Sequence, residues 1–163
     1  MKLFRPLALL AALAACSPQT AQAIPSETRA VSAQDDRHPV SGLEVIPLRV
    51  TQDGEVHRFR VEVAANREEQ ARGLMFRREL GPDEGMIFPL SPPRLASFWM
   101  KNTVIPLDII FIGKDHRIIN IAANATPYTL DPRQSEGLAL AVLELPGGRA
   151  AELGIGPGAL VQW

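Results

Sequence analysis

Apolar and polar side chains alternate over two neighbouring segments, residues 43–51 and 55–64. This alternation is typical of strands that bury one face. Asp53 and Gly54 lie between the segments, and an Asp-Gly pair in that position favours a tight hairpin turn. In the second segment, Phe59 and Val61 lie on the face predicted to be buried. The pattern therefore predicts a β-hairpin at the start of the folded domain.

A short amphipathic helix is predicted next. Asn66 can cap the first free backbone N–H groups, and Glu69 follows three residues later, as in a capping box. Ala71, Leu74 and Met75 then fall at i, i+3 and i+4, which places them on one apolar face of a helix. Gly73 lies inside this pattern and weakens it.

The rest of the chain alternates short apolar segments with turns rich in glycine and proline. Further strands are predicted at residues 86–88, 97–103, 107–112, 117–123, 138–145 and 159–163, and a helical turn at 147–153. Many short strands with such turns are typical of all-β domains. We therefore expect a mainly β fold, a compact antiparallel sandwich or barrel-like domain with one or two short helices.

Residues 97–112 contain an unusual concentration of tryptophan, lysine and aspartate among apolar side chains. If residues 103–106 form a hairpin loop, Lys101 faces Asp108 across the two strands. Opposite charges in such pairs stabilise sheets. The same register brings Phe98 opposite Phe111. This interpretation places an ion pair beside Trp99, where it is either a functional site or a structural pair in the core.

The N-terminus has the pattern of a secretory signal. Lys2 and Arg5 precede an apolar run at 7–15, which is too short to span a membrane. The run ends in Leu-Ala-Ala-Cys16, which resembles a bacterial lipobox. We predict a signal peptide at 1–15, a lipid on Cys16, a flexible tether at 16–42 and a domain at 43–163. The alternative is cleavage after Ala23, which would give a soluble secreted protein.

The predicted location is therefore the periplasm, with the domain anchored to a membrane through the lipid on Cys16. Ser17 follows the cysteine rather than an aspartate, which favours the outer membrane. Composition adds a limit on partners. The 163 residues carry a formal net charge of −1 without a basic stripe, so nucleic acid is not an expected partner. We expect a monomer without a cofactor.

Enzyme patterns fit poorly. No thiol remains after lipidation of the single cysteine, no serine lies in a Gly-x-Ser-x-Gly context, and the three histidines are scattered. Asp108 and Glu144 are the candidate acid/base carboxylates, with Lys101 as an electrostatic stabiliser. Glu144 lies in an apolar strand, where a buried carboxylate requires a partner such as Arg72 or Lys101. A hydrolase or isomerase acting on envelope material is one alternative.

A binding module is the preferred interpretation. An indole beside polar groups suits a sugar ring or another small polar ligand. The predicted ligand-binding residues are Trp99, Lys101, Asn102, Asp108 and Arg72. The ligand would be a small polar molecule, a saccharide or an envelope polymer, although the same patch could instead contact another protein.

A copper site is a further alternative. Met75, Met86 and Met100 carry soft thioethers that suit Cu(I), but methionine more often fills a core. We therefore predict no metal and retain the three methionines as weak candidates.

Six motifs occur in a familiar order and spacing. They are Glu69-x-x-Arg-Gly-Leu-Met75, Gly85-Met-Ile-Phe88, Phe98-Trp-Met-Lys-Asn-Thr103, Ile105-Pro-Leu-Asp108, Leu143-Glu-Leu-Pro-Gly147 and Gly154-Ile-x-Pro-Gly158. Together they resemble the DUF192 (UPF0127) family of bacterial and archaeal proteins over residues 45–163. The resemblance implies a compact, mainly antiparallel β domain and no particular reaction. Family members tend to have an aspartate after the last glycine, where this chain has Ala159.

Overall fold

The computed structural model describes residues 36–163, so the predicted signal peptide, Cys16 and most of the predicted tether lie outside the described residues. Within this range, nine strands and two short helices follow one another. They are β1 (Val45–Gln52), β2 (Glu55–Val63), α1 (Arg67–Arg72), β3 (Glu84–Arg94), β4 (Ser97–Phe98), β5 (Leu107–Gly113), β6 (Ile118–Ala125), β7 (Arg133–Gln134), β8 (Ala139–Pro146), α2 (Arg149–Glu152) and β9 (Leu160–Gln162).

Seven strands form one sheet in the order β6-β5-β8-β3-β2-β1-β9, and β4 pairs with β7 in a separate two-stranded sheet. The large sheet is mixed because β2 and β3 run parallel, whereas its other neighbours are antiparallel. A bridge from Arg117 to Leu160 links the chain just before β6 to β9, but the sheet does not close into a barrel. The predicted mainly β class with short helices is confirmed.

Each face of the sheet has its own apolar core. Along β5, Ile110 and Ile112 belong to one cluster, and Ile109 and Phe111 belong to the other. Alternation along a strand explains this division, because successive side chains point to opposite faces. All seven residues of β5 are buried. The continuous apolar run in this part of the sequence thus reflects a strand covered on both faces.

The predicted Asp-Gly turn and the capping box at Asn66 both form. The predicted apolar helix face does not, because α1 ends before Leu74 and Met75. Gln52 pairs with Glu55 across the hairpin, and Asp53 and Gly54 take the positive φ values, 50° and 89°, of a tight turn. At α1, the Asn66 side chain accepts hydrogen bonds from the backbone N–H groups of Glu68 and Glu69, each at 3.0 Å. The helix ends at Arg72 because Gly73 leaves the helical conformation, with φ at 48°.

The predicted hairpin between residues 97–103 and 107–112 is wrong. Strand β4 contains only Ser97 and Phe98 and pairs with β7, while β5 has β6 on one side and β8 on the other. Both edges of β5 are therefore occupied, and Lys101 does not face Asp108. Phe98 still meets Phe111, with ring centroids 6.3 Å apart, because the β4 segment packs over the sheet face.

Residues 36–42, which composition assigned to the tether, make specific contacts with the domain. The backbone N–H of His38 donates to the Leu43 carbonyl at 2.8 Å, and Arg37 bridges to Glu44. The Ser41 hydroxyl donates to the carboxylate of Glu62 in β2. Neither helix in residues 36–163 is long and apolar enough to cross a membrane.

Candidate functional site

A pocket of about 270 Å³ lies on the sheet face that carries Phe88 and Phe111. Helix α1 and the residues after it line one side, and β4 with the loop that follows lines the other. Strand β8 contributes Glu144. The side chains that matter for its chemistry are Arg72, Arg94, Trp99, Lys101 and Glu144. The pocket thus joins Trp99, Lys101 and Arg72, predicted for ligand binding, to Glu144, predicted for catalysis.

Glu144 is the most unusual residue of the pocket. It lies in register with Met86 of β3 and Ile109 of β5, so apolar strands flank it on both sides. The residue is only 5% exposed, and no other residue in 36–163 forms a hydrogen bond or ion pair with its carboxyl group. Burial raises the pKa of Glu144 from 4.5 to about 8. At neutral pH the group is therefore mainly a protonated acid that can both donate and accept a hydrogen bond.

Three exposed cations line the same pocket as this acid. Arg72, Arg94 and Lys101 all line the pocket, and none of them forms an ion pair within residues 36–163. Because Glu144 is mainly neutral, the pocket carries positive charge that no described acid within it balances. That combination attracts an anion.

Trp99 provides an exposed aromatic surface at the pocket. Its side chain is 52% exposed, and the Lys101 Nζ lies 5.3 Å from the ring centroid in a cation–π contact. The adjacent Met100 is fully buried, and its backbone N–H donates to the Thr129 carbonyl at 3.0 Å. Met100 therefore anchors the segment while Trp99 stays open to solvent, which excludes the interpretation of Trp99 as a core residue.

Asn102 supports the pocket rather than lining it. Its side-chain amide donates to the Met75 sulfur at 3.7 Å, and its carbonyl accepts from the backbone N–H of Phe76 at 2.8 Å. Both contacts join the loop after β4 to the segment after α1. Asn102 thus holds the two walls of the pocket together.

Asp108 lies apart from the pocket and is fully buried. Its Oδ1 accepts hydrogen bonds from the backbone N–H groups of Asn124 at 2.7 Å and Gly148 at 2.9 Å, and its Oδ2 accepts from Ala150 at 2.8 Å. The predicted site that combined Lys101 with Asp108 is therefore wrong. Local sequence suggested Lys101 as the neighbour of Asp108, whereas its partners lie in β6 and at the start of α2, up to 42 residues away.

The three methionines occupy different environments. Met86 and Met100 are fully buried in one core cluster, whereas Met75 is partly exposed and lines the pocket. Among residues 36–163, no group of three or more histidine, cysteine, aspartate or glutamate side chains is arranged to hold a metal ion.

Sequence reasoning missed a buried ion pair beside a second pocket. Arg77 donates to both carboxylate oxygens of Glu62, at 2.7 and 2.9 Å, and Glu62 is 3% exposed. His38 Nε2 lies 3.7 Å from the same carboxylate. Glu62 lies in β2, and Arg77 lies in the segment after α1. No local signal links two residues 15 positions apart in different elements.

Comparison with known proteins settles the family. The family model of DUF192, described as "Uncharacterized ACR", matches residues 48–163. The chain belongs to the DUF192 family. None of the curated proteins matches the chain. The family description names no reaction.

Two solved structures are similar to the DUF192 domain of this chain. A protein of unknown function from Novosphingobium aromaticivorans is 59% identical, with 78% of this chain and 91% of that chain covered and a TM-score of 0.77. A Sinorhizobium meliloti protein, provisionally called a transcription regulator, is 36% identical. The match covers 74% of this chain and 94% of that chain, with a TM-score of 0.72.

Proposed function

We propose that this protein is a binding module whose pocket holds a small anionic ligand that also carries hydroxyl or amide groups. The observation that carries the proposal is Glu144, a buried carboxyl group without a described partner at a pocket lined by three cations. The Glu144 carboxyl group borders the pocket, so a ligand there can exchange a hydrogen bond with it.

The charges favour an anion over a cation. An ammonium ligand would meet Arg72, Arg94 and Lys101, while Glu144 is mainly neutral at pH 7 because burial raises its pKa to about 8. A carboxylate or phosphate would accept charge-assisted hydrogen bonds from the same cations. The exposed indole of Trp99 offers an apolar surface with a hydrogen-bonding edge, which suits a sugar ring.

An enzyme is the second candidate, because the raised pKa of Glu144 is typical of a general acid. Hydrolysis of a glycosidic bond usually requires two carboxyl groups on opposite sides of the bond. Glu144 is the single carboxylate among the described residues that line this pocket, and Asp108 lies elsewhere. Binding without turnover is therefore the better supported function.

The setting of this function is also a proposal. A lipid on Cys16 would hold the domain in the periplasm, with the outer membrane favoured, where envelope polymers supply sugar acids. The domain would act as a monomer. A role in transcription, as the name of the Sinorhizobium protein suggests, is less favoured because the chain has a net charge of −1.

Calorimetric titration with glucuronate, N-acetylmuramate and glucose 6-phosphate tests the proposal, with neutral glucose as the comparison ligand. We expect at least one anion to bind and glucose to bind far more weakly. Arg72→Ala and Lys101→Ala should each lower the affinity by about tenfold, since each removes a charge-assisted contact. Arg67→Ala is the matched control, because Arg67 is exposed on the same helix but does not line the pocket.

The pH dependence gives a second measurement. Affinity should fall as pH rises above about 8, because ionised Glu144 repels an anion and no longer donates a hydrogen bond. Glu144→Gln keeps a neutral donor and acceptor, so its affinity should change less with pH over that range. If no anion binds, or if Arg72→Ala, Lys101→Ala and Arg67→Ala have equal effects, the proposed function is wrong.

A further inference from the structure

A second pocket, of about 730 Å³, adjoins the first. Arg72, Gly73 and Met75 line both, so the two pockets meet along the segment that follows α1. The first pocket lies towards β4 and β8, and the second lies towards residues 38–43 and 76–79. A ligand longer than one sugar ring could therefore contact both pockets along a single path over Arg72.

Each pocket presents one exposed aromatic side chain. Trp99 lines the first pocket and is 52% exposed, and Phe76 lines the second and is 64% exposed. The backbone N–H of Phe76 donates to the Asn102 carbonyl at 2.8 Å, which fixes the Phe76 backbone relative to the loop that carries Trp99. Two aromatic surfaces held at fixed positions on adjoining pockets suit successive rings of one chain.

The charges of the two pockets differ. The second pocket is lined by Arg72, Arg77, Arg78 and His38, and also by four acids, Glu68, Glu69, Glu79 and Glu84. Arg77 is already paired with Glu62. The backbone N–H of Ala65 donates to Glu69, and that of Gly81 donates to Glu84. Because donors and acceptors are mixed here, this pocket suits a neutral unit rich in hydroxyl or amide groups, whereas the first suits an anion.

We propose that the two pockets form one groove for a linear oligosaccharide, in which an acidic sugar occupies the first pocket and a neutral sugar occupies the second. This inference rests on the proposed function of the first pocket and extends it. Trp99 and Phe76 stack against the two rings. Arg72 lies between them and contacts the linkage or the acid.

The experiment compares glucuronate with the tetrasaccharide of hyaluronan, in which glucuronate alternates with N-acetylglucosamine, by calorimetric titration of the protein. We expect the tetrasaccharide to bind at least tenfold more tightly than glucuronate. The galacturonate tetramer, whose every unit is acidic, should gain little over galacturonate because it places a carboxylate beside the acids of the second pocket. A peptide of alternating glutamate and lysine tests for a peptide ligand instead.

Single substitutions test whether the higher affinity for the tetrasaccharide comes from the second pocket. Phe76→Ala should lower the affinity for the tetrasaccharide by about tenfold and leave that for glucuronate within about twofold. Tyr128→Ala is the matched control, because Tyr128 has the same 64% exposure and the same φ of 62° as Phe76 but lines neither pocket. Trp99→Ala should lower the affinity for both glucuronate and the tetrasaccharide.

The outcomes separate the two proposals. The groove proposal is wrong, and the anion pocket stands, if glucuronate binds as tightly as the tetrasaccharide. The same holds if Phe76→Ala lowers the affinity for both ligands equally. If the peptide binds more tightly than the tetrasaccharide, the groove does not bind a saccharide. If the galacturonate tetramer gains as much affinity over its monomer as the hyaluronan tetrasaccharide does, the second pocket does not prefer a neutral sugar. If none of these ligands binds, and N-acetylmuramate and glucose 6-phosphate do not bind either, the proposed function fails together with its extension.

Discussion

The Asp108 carboxylate accepts a hydrogen bond at 2.8 Å from the backbone N–H of Ala150, which joins the start of β5 to α2. Gly148 precedes this helix and has no side chain to cap it. Asp108 acts as the cap from another strand, because it also accepts from the Gly148 N–H. A carboxylate at a helix N-terminus is further stabilised by the helix dipole. The role of Asp108 is therefore structural.

Asp108→Ala should reduce the free energy of unfolding by about 3 kcal/mol or more, because it leaves three backbone N–H groups without their acceptor. Urea unfolding followed by circular dichroism measures the change. Asp115→Ala is the control, since Asp115 accepts one hydrogen bond of 3.2 Å in an exposed turn and should cost less than about 1 kcal/mol. Similar losses in the two variants would contradict the structural role of Asp108.

The contrast between Asp108 and the first hairpin shows what the sequence could predict. The turn at Asp53-Gly54 and the capping box at Asn66 depend on residues within a few positions of each other, so local patterns were sufficient. The partners of β5 are β6 and β8, and β8 begins 26 residues after β5 ends. The apolar run of β5 predicted a strand but contained no information about which strands cover its edges.

The candidate site was predicted in part for the same reason. Glu144 was recognised as a carboxylate in an apolar strand, with Arg72 or Lys101 as possible partners. The structure brings all three to one pocket, but neither cation forms an ion pair with Glu144. The space that keeps them apart depends on how α1 and the loop after β4 pack over the sheet. No periodicity in the sequence specifies that packing.

The buried pair of Arg77 and Glu62 provides a second stability test. Arg77→Met should reduce the free energy of unfolding by about 3–5 kcal/mol, because it leaves the Glu62 carboxylate buried without its cation. Urea unfolding at pH 7 measures this change. Arg78→Met is the neighbouring control, because Arg78 is exposed, and should change stability by less than about 0.5 kcal/mol.

A double variant isolates the buried charge as the cause. Arg77→Met leaves the negative charge of Glu62 buried and unpaired, and Glu62→Gln removes that charge. The double variant should therefore be more stable than Arg77→Met alone. Additive losses would show instead that Arg77 acts mainly through the packing of its side chain.

Gly73 connects the two pockets and ends α1 in a conformation with φ at 48°. Gly73→Ala should reduce the free energy of unfolding by about 1–2 kcal/mol, because a Cβ atom is unfavourable at this φ. It would also lie 3.3 Å from the Phe88 ring. Gly42→Ala is the control, since φ is 73° there but nothing lies within 4 Å of the added atom. If Gly73→Ala costs no more than the control, contact with Phe88 contributes nothing.

The raised pKa of Glu144 makes stability depend on pH in a definite direction. In the unfolded chain Glu144 loses its proton near pH 4.5, whereas in the folded protein it keeps the proton until about pH 8. Between these values the folded state binds more protons than the unfolded state, so stability decreases as pH rises. The loss from this group is about 3 kcal/mol between pH 5 and 7.5, and it levels off above pH 8.

Glu144→Gln removes this titration. Its unfolding free energy should therefore exceed that of the natural protein increasingly as pH rises from 5 to 8, when both are measured by urea unfolding in the same buffers. Glu136→Gln is the matched control because Glu136 is exposed, and its curve should run parallel to that of the natural protein. A parallel curve for Glu144→Gln as well would mean that Glu144 ionises normally in the folded state. The donor role of its carboxyl group in the proposed site would then be lost.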